Sequence, residues 1–274
     1  MKPNISIIIS TYNSPDWLEK VILGYNTQTY RNFEMVIADD GSREETKQRI
    51  DSLRSEVFFP IIHVWHEDRG FQKSEILNKA ILQCTTDYIL MSDGDCIPQT
   101  NFVEVHIKYR EEGYFLSGGY YKLPMDLSEK ISKKNIYSGQ CFEIKWLKKH
   151  GIKTNFKNNK IESGSFKSWL LNLLTPTTPS WNGHNASGWK SDIVAINGFD
   201  ERMQYGGQDR ELGERLVNKG IKPKQIRYST VCLHLDHPRG YAVKESIEKN
   251  KKIRSETKKF KKFWTDFGIV KSNS

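Results

Sequence analysis

The first hundred residues alternate between short apolar runs and amphipathic stretches. Ile5-Ser6-Ile7-Ile8-Ile9 reads as a buried strand. Ser14-Pro15 follows, a serine placed to cap a helix and a proline at its first position. Leu18, Val21, Ile22 and Tyr25 then share one helix face. Phe33 to Ala38 predicts a second strand. Ser42 and Glu45 have the spacing of a capping box and predict a helix running to about Leu53. Ile61 to Trp65 predicts a third strand, Ile76, Leu77, Ala80 and Ile81 another helix face, and Tyr88 to Met91 a fourth strand.

Strand and helix alternating in short units predict an α/β fold with a doubly wound, mostly parallel sheet. Such sheets bind ligands at the carboxyl ends of their strands. The residues just after each strand are therefore the ones to weigh.

The pattern loosens after residue 100. Gly113 to Lys122 predicts further strands, and Lys130 to Lys149 a lysine-rich helix. Asn155 to Ser165 reads as a polar loop. Ser180 to Leu233 is dense in Trp, Gly, Asn and acidic residues, a composition that suits loops shaping a substrate site.

Composition narrows the class. A chain of 274 residues, 37% of them hydrophobic, suits one large α/β domain or two lobes sharing a core. It holds no apolar run of about 18 residues, so no membrane span is predicted. Ile5 to Ile9 is too short for a signal-peptide core, and a cytoplasmic protein is expected. Cys84, Cys96, Cys141 and Cys232 show no CxxC spacing and read as free buried thiols. The net charge is +9, yet ten Lys or Arg against four Asp or Glu fall between Tyr241 and Ser274. The basic excess belongs to a tail, no recognition motif accompanies it, and a nucleic-acid partner is not expected.

Three strand ends carry candidate chemistry. Strand one ends in Ser10-Thr11-Tyr12-Asn13 and strand two in Asp39-Asp40-Gly41-Ser42. A carboxylate there would accept a base N–H and Tyr12 would stack on the base, although Asp40-Gly41 equally suits a turn into a helix. Strand four ends in Ser92-Asp93-Gly94-Asp95, where two carboxylates flanking a glycine suit a hard divalent cation on phosphate oxygens. Further along, Gly206-Gly207-Gln208-Asp209 precedes an apolar helix face, which puts Asp209 in a first turn. There it is either an ordinary dipole-stabilised carboxylate or a general base aimed at an incoming hydroxyl. Trp181, Trp189 and Tyr205 are candidates for a sugar-stacking floor. His234 and His237, three apart after the strand Val231 to Leu233, offer one more metal ligand.

Together these pieces resemble family 2 glycosyltransferases of the GT-A fold. Ile7 to Asn13, Ile37 to Ser42 and Ser92 to Asp95 stand in that family's order, and Asp68-Arg69-Gly70-Phe71 with Asn78-Lys79-Ala80 resembles a subgroup. Asn197-Gly198-Phe199-Asp200-Glu201 through Gly207-Gln208-Asp209 to Leu216 is similar to the carboxyl-terminal part of β-1,4-galactosyltransferases and chondroitin-type polymerases. The resemblance implies an inverting, metal-dependent hexosyltransferase. Ser10, Thr11, Tyr12, Asn13, Asp40 and Asp93 would hold the nucleoside, with Asp40 on the uracil N–H of a UDP-sugar. Asp95, Asp93 and His234 would hold Mn²⁺ or Mg²⁺, and Asp209 would be the base. Trp181, Asn185, Trp189, Gly207 and Gln208 would meet the sugar or the acceptor, a growing polysaccharide or lipid-linked glycan. Relatives carry Glu where this chain has Gln208, so a charge beside the base is lost.

The implied organisation is a catalytic domain over 1–240, with a nucleotide-binding half (1–98) and an acceptor and catalytic half or lobe (99–240), then a basic amphipathic tail (241–274). A nucleotide-sugar pyrophosphorylase would share the sheet but needs glycines and basic residues after strand one, and Ser10 to Pro15 has neither. A catalytically inert sugar-binding relative would lack reason to keep both Asp95 and Asp209. In the tail, Ile253, Phe260, Trp264 and Phe267 fall near one face of a helix over 243–267, with lysines between. That pattern suits either an anionic membrane surface at the inner leaflet or packing on the catalytic domain.

Overall fold

A computed structural model describes residues 2–162, 164–238, 240 and 243–271. The amino-terminal half alternates as predicted: β1 (Ser6–Thr11), α1 (Pro15–Tyr25), β2 (Glu34–Asp39), α2 (Glu44–Leu53), β3 (Ile61–Trp65), α3 (Lys73–Gln83) and β4 (Tyr88–Asp93). Then come β5 (Cys96–Pro98), α4 (Phe102–Tyr109), β6 (Tyr114–Ser117) and β7 (Gly119–Lys122). Short helices come next: α5 (Met125–Lys130), α6 (Lys133–Tyr137), α7 (Ile144–Lys149), α8 (Asn159–Glu162) and α9 (Ser165–Leu174). The chain ends with β8 (Ala186–Trp189), α10 (Lys190–Val194), α11 (Gln208–Asn218), β9 (Lys222–Gln225), β10 (Val231–His234) and α12 (Lys244–Lys259).

Seven strands form one sheet in the order β3-β2-β1-β4-β8-β6-β9. The pairs from β3 to β4 are parallel, and β8 runs antiparallel to both its neighbours. Alternation along β1 splits the core in two. Ile7 and Ile9 face one layer with Leu18, Val21 and Ile22 of α1, while Ile8 faces the other with Ile76, Leu77 and Ala80 of α3. Burial of apolar side chains on both faces is what makes these strands near-continuous hydrophobic runs. All four cysteines are buried and free.

A second sheet, β5-β10-β7, stands beside the first. Its pairing of His234 with Cys96 sets the end of β10 next to the start of β5. The backbone N–H of Leu235 donates to the Asp95 carbonyl at 2.8 Å. Two segments almost 140 residues apart in sequence are thereby fixed at one point.

Several expectations are corrected. Ser42 does not cap α2: the capping position is Arg43, and the Ser42 hydroxyl instead accepts from the Asn13 N–H at 2.8 Å. Lys130 to Lys149 is broken into three parts. Ser132 and Asn135 form a capping box that starts α6, and Gly139 at φ 72° turns the chain out of it. Asn155 to Ser165, expected as loop, contains a 3-10 turn at Phe156–Asn158 and then α8.

The tail helix also differs. It ends at Lys259, so Trp264 and Phe267 lie beyond it, and it packs through Ser246, Asn250 and Thr257 rather than an apolar face. Asn250 donates to the carbonyls of Gln204, Tyr205 and Gly206, and Thr257 donates to Glu211 at 2.9 Å. These bonds clamp the turn that precedes α11.

Candidate active site

The carboxyl ends of β1, β2 and β4 open into a cleft of about 990 Å³. Register decides what meets there. Ser10 of β1 lies opposite Asp93 of β4, and its hydroxyl donates to Asp93 Oδ1 at 2.9 Å. The Gly94 N–H donates to the Ser10 carbonyl at 2.8 Å. A Cβ on Gly94 would come within 2.9 Å of that carbonyl oxygen, so only glycine lets β4 turn between its two carboxylates.

Asp93 and Asp95 have different partners. Asp93 Oδ1 also receives Lys73 Nζ at 2.6 Å. Burial alone would raise the Asp93 pKa, but the Lys73 ammonium pulls it down to about 2. Asp95 Oδ2 faces two imidazoles, His237 Nε2 at 2.9 Å and His234 Nε2 at 3.9 Å. The ligand atoms of Asp95, His234 and His237 lie within 4.8 Å of one another, as do those of Asp93, Asp95 and Cys96. The Nδ1 of His234 lies 2.9 Å from the Leu235 carbonyl, and that of His237 2.9 Å from the Pro238 carbonyl. With Nδ1–H donating to the backbone, each Nε2 presents its lone pair, the tautomer that metal ligation needs. The donor set of two imidazoles and a carboxylate fits a divalent cation, and suits Mn²⁺ better than Mg²⁺, which prefers oxygen.

Asp209 lies in the first turn of α11, preceded by Gly206 and Gly207 at φ 113° and 91°. That left-handed pair swings the chain so that the helix starts against the cleft. Asp209 Oδ2 accepts the Gly183 N–H at 3.2 Å, and its Oδ1 is buried with no hydrogen-bond partner. Burial, reinforced by Asp93, holds its pKa above the ordinary carboxylate range, while Lys73 opposes the shift. A Cβ on Gly183 would sit 3.4 Å from Asp209 Oδ2 and 3.5 Å from Asp93 Oδ1. Glycine at this position keeps the space beside both carboxylates clear.

The residues expected to meet a nucleoside fall in one place. Ser10, Thr11, Tyr12, Asn13 and Asp40 all line the cleft. Thr11 Oγ1 is buried without a partner, and Tyr12 is 46% exposed with its hydroxyl donating to Asp68 at 2.8 Å. Asp40 is already engaged, by His66 Nε2 at 2.8 Å on one oxygen and the Gln72 N–H at 2.9 Å on the other.

The sugar-floor assignments are corrected in part. Trp181 is fully buried between the sheet and α11, its ring 5.7 Å from Phe115 and its atoms against Gly188 and Gly213. Trp189 pairs with Tyr88 at the start of β4, the sheet edge opposite the cleft, and its indole N–H donates to the Glu111 carbonyl at 3.0 Å. Asn185 is fully buried too, donating to the Gly119 carbonyl at 2.8 Å and touching His106 at 2.9 Å. None of the three lines the cleft, whereas Tyr205 does, its ring 5.9 Å from Phe71. Gly207 and Gln208 are at the rim, but the Gln208 side-chain oxygen accepts the Gly206 N–H at 3.1 Å and so braces the turn.

Lys73, Asn182, His184 and Tyr120 are cleft residues that sequence reading missed. His184 is pushed down to about 4 by burial, so it stands neutral between Tyr120 and the carboxylates. No local motif marks these four. They come from a helix start, a loop and a short strand that only the fold brings together.

Comparison with known proteins fits this geometry. The model of the glycosyl transferase family 2 matches residues 6–172. The glycosyltransferase YfnE of Bacillus subtilis is 26% identical over 271 residues, covering 89% of this chain and 68% of its own length. The chondroitin synthase of Escherichia coli is 25% identical over 252 residues, covering 85% of this chain, and the chain spans only 35% of its length. Among solved structures, S. aureus TarS 1-349 in complex with UDP-GlcNAc superposes with a TM-score of 0.58 at 14% identity, over 94% of this chain and 69% of that one. The mannosyltransferase PcManGT from Pyrobaculum calidifontis, in complex with GDP-Man and Mn²⁺, gives 0.56 at 18% identity, over 88% and 59%. At these identities the likeness establishes the fold.

Proposed function

The chain belongs to glycosyl transferase family 2 and has the GT-A fold, and from that premise we propose an inverting, metal-dependent transferase. It moves a hexose or N-acetylhexosamine from a UDP-sugar to a hydroxyl of a growing surface glycan, a polysaccharide or lipid-linked oligosaccharide. The observation that carries this reading is the carboxylate of Asp209, which lines the cleft with Asp93 and Asp95 and whose buried Oδ1 has no hydrogen-bond partner.

In this reading Asp209 takes the proton of the acceptor hydroxyl as its oxygen attacks the anomeric carbon. The bond from that carbon to the diphosphate breaks on the opposite side, and the diphosphate leaves with the electron pair. One base and one displacement give inversion. The raised pKa supports the role, because a carboxylate held by burial is a stronger base than one in water. Asp95, His234 and His237 would hold the divalent cation, which would supply positive charge to the leaving diphosphate. Lys73 holds Asp93 ionised and in place beside Ser10. Thr11, Tyr12 and Asp40 hold the nucleoside, with Asp40 accepting the uracil N–H. Residues 1–98 bind the nucleotide, and 99–240 supply the acceptor side together with the base and the two histidines.

Attachment to an anionic leaflet is part of the proposal. Phe260, Phe263, Trp264 and Phe267 are each more than 40% exposed among tail lysines. On α9, Phe166, Trp169, Leu173 and Leu174 are exposed as well. No helix among the described residues is long and apolar enough to cross a membrane, so a surface-bound arrangement is the one these side chains suit.

The test is a screen of UDP- and GDP-sugars for turnover with Mn²⁺, Mg²⁺ or chelator. Metal-dependent release of UDP that is lost in Asp209→Asn supports the assignment. Binding of nucleotide-sugars without turnover, under every metal and acceptor tried, would make the protein an inert relative.

A further inference from the structure

Beside the catalytic cleft lies a second groove of about 1050 Å³. Tyr120, Asn182, His184, Arg210 and Arg254 line both, so the two meet at the catalytic end. The volume admits a ligand of several rings.

Its charge is one-sided. Eight Lys or Arg side chains line the groove against one carboxylate, that of Glu214. Arg254 and Lys258 are both engaged by Glu214, and Lys122 reaches Asp236 at 3.4 Å. Among the described residues, no carboxylate pairs with Lys153, Lys157, Lys160, Arg210 or Arg227. The Arg227 Nε is buried with no acceptor, and Nη1 reaches Thr177 Oγ1 at 3.1 Å. Lys160 Nζ donates to the Tyr120 carbonyl at 2.9 Å. Burial, together with the charges of Arg227 and Lys157, pushes Lys160 down to about 8. Cations gathered this closely without counter-charge repel one another, and an anion entering the groove relieves that repulsion. Tyr120, 39% exposed at the junction, offers a ring face for a sugar.

We propose that this groove binds the acceptor beyond its reacting sugar, and that the acceptor is a polyanionic glycan with carboxylate or phosphate groups spaced along its chain. The inference rests on the assignment of Asp209 as the base, since that places the acceptor hydroxyl near Asn182 and sends the rest of the chain into the groove.

Calorimetry on the full chain with UDP and Mn²⁺ present tests it. The probes are a hexasaccharide of alternating hexuronic acid and N-acetylhexosamine, its carboxyl-reduced neutral counterpart, and a glycerol-phosphate hexamer. At least one anionic probe binds about tenfold or more tightly than the neutral one and weakens with salt. The arm that binds better tells carboxylate from phosphate. Lys153→Gln with Lys157→Gln lowers that affinity about tenfold, while UDP affinity, measured on the same sample, reports that the donor side is intact. Equal binding of the neutral hexasaccharide, or no effect of the double variant, overturns the proposal. Failure here alongside metal-dependent turnover that requires Asp209 condemns the groove alone. Turnover that is indifferent to Asp209→Asn condemns the assignment beneath it.

Discussion

His237 Nε2 lies 2.9 Å from Asp95 Oδ2, closer than His234 does at 3.9 Å. Two imidazoles turned toward one carboxylate make a donor set that a divalent cation can bind. His237→Ala is therefore expected to weaken Mn²⁺ binding at least as much as His234→Ala, and Asp95→Ala to abolish it while leaving the thermal midpoint near wild type. Titration of Mn²⁺ into each variant in the presence of UDP measures this. Full transferase activity in excess chelator would end the metal assignment.

The role of Asp209 makes two expectations. Asp209→Asn binds donor normally and turns over about 10²–10⁴-fold more slowly. The wild-type rate rises with pH through the Asp209 pKa, because the base form is the ionised one and burial places that pKa above the ordinary carboxylate range. The limb is absent from the residual activity of the asparagine variant. A product that keeps the donor's anomeric configuration would rule out the single-displacement reading.

The proposed role of Asp40 on the base sets an expectation for nucleotide choice. The two Asp40 oxygens are already held by His66 and the Gln72 N–H, which fixes the carboxylate in place. UDP is expected to bind more tightly than GDP, with Asp40→Ala narrowing the gap by about 1–3 kcal/mol, the cost of a polar group left unpaired. Equal affinity of the wild type for the two nucleotides would reduce Asp40 to a turn residue.

The first hundred residues were legible because each strand is a short apolar run closed by turn chemistry. Asp40, Asp93 and Asp95 could be placed because each stands at or just past the carboxyl end of such a run. Competition in space was not legible. Ser42 has a capping residue's spacing, yet Asn13 takes its hydroxyl. Trp181 looks like a sugar platform until α11 closes over it at Gly213. Lys73 is one lysine among many in the chain, and its approach to Asp93 depends on how α3 docks on β1 and β2. The segment Asn197 to Glu201 carries a family likeness for a packing reason. Asn78 binds the backbone N–H and carbonyl of Phe199, and Asn197 anchors Thr265 and Val270.

The helix that carries Asp209 is pinned by a buried ion pair. Glu211 and Arg215 are each 1% exposed, and Arg215 also donates to the carbonyls of Ile196 and Gly198. Arg215→Ala strands the Glu211 carboxylate in the interior, with Thr257 alone among the described residues still donating a hydrogen bond to its side chain. Breaking a pair of this kind costs about 3–5 kcal/mol. Urea unfolding should register that loss, and a change below about 1 kcal/mol would mean the pair is dispensable.

Packing of α12 on α11 uses its polar residues, so domain packing does not account for Phe260 at 60% exposure or Trp264 at 42%. Large apolar side chains left in water among lysines match the boundary of an anionic bilayer, where the rings enter the headgroup layer and the lysines meet lipid charge. Each basic residue near such a surface contributes about 1 kcal/mol at low salt, and the effect decays over the Debye length. The full-length protein is thus expected to sediment with anionic liposomes in low salt, to release as salt rises, and to ignore neutral ones. Phe260→Ser with Trp264→Ser should lower binding, and Phe166→Ser with Trp169→Ser on α9 tests whether that helix joins the same contact. A protein that stays in the supernatant with anionic liposomes at low salt would leave the acceptor without a membrane to be met on, and the transferase would then act on a free glycan.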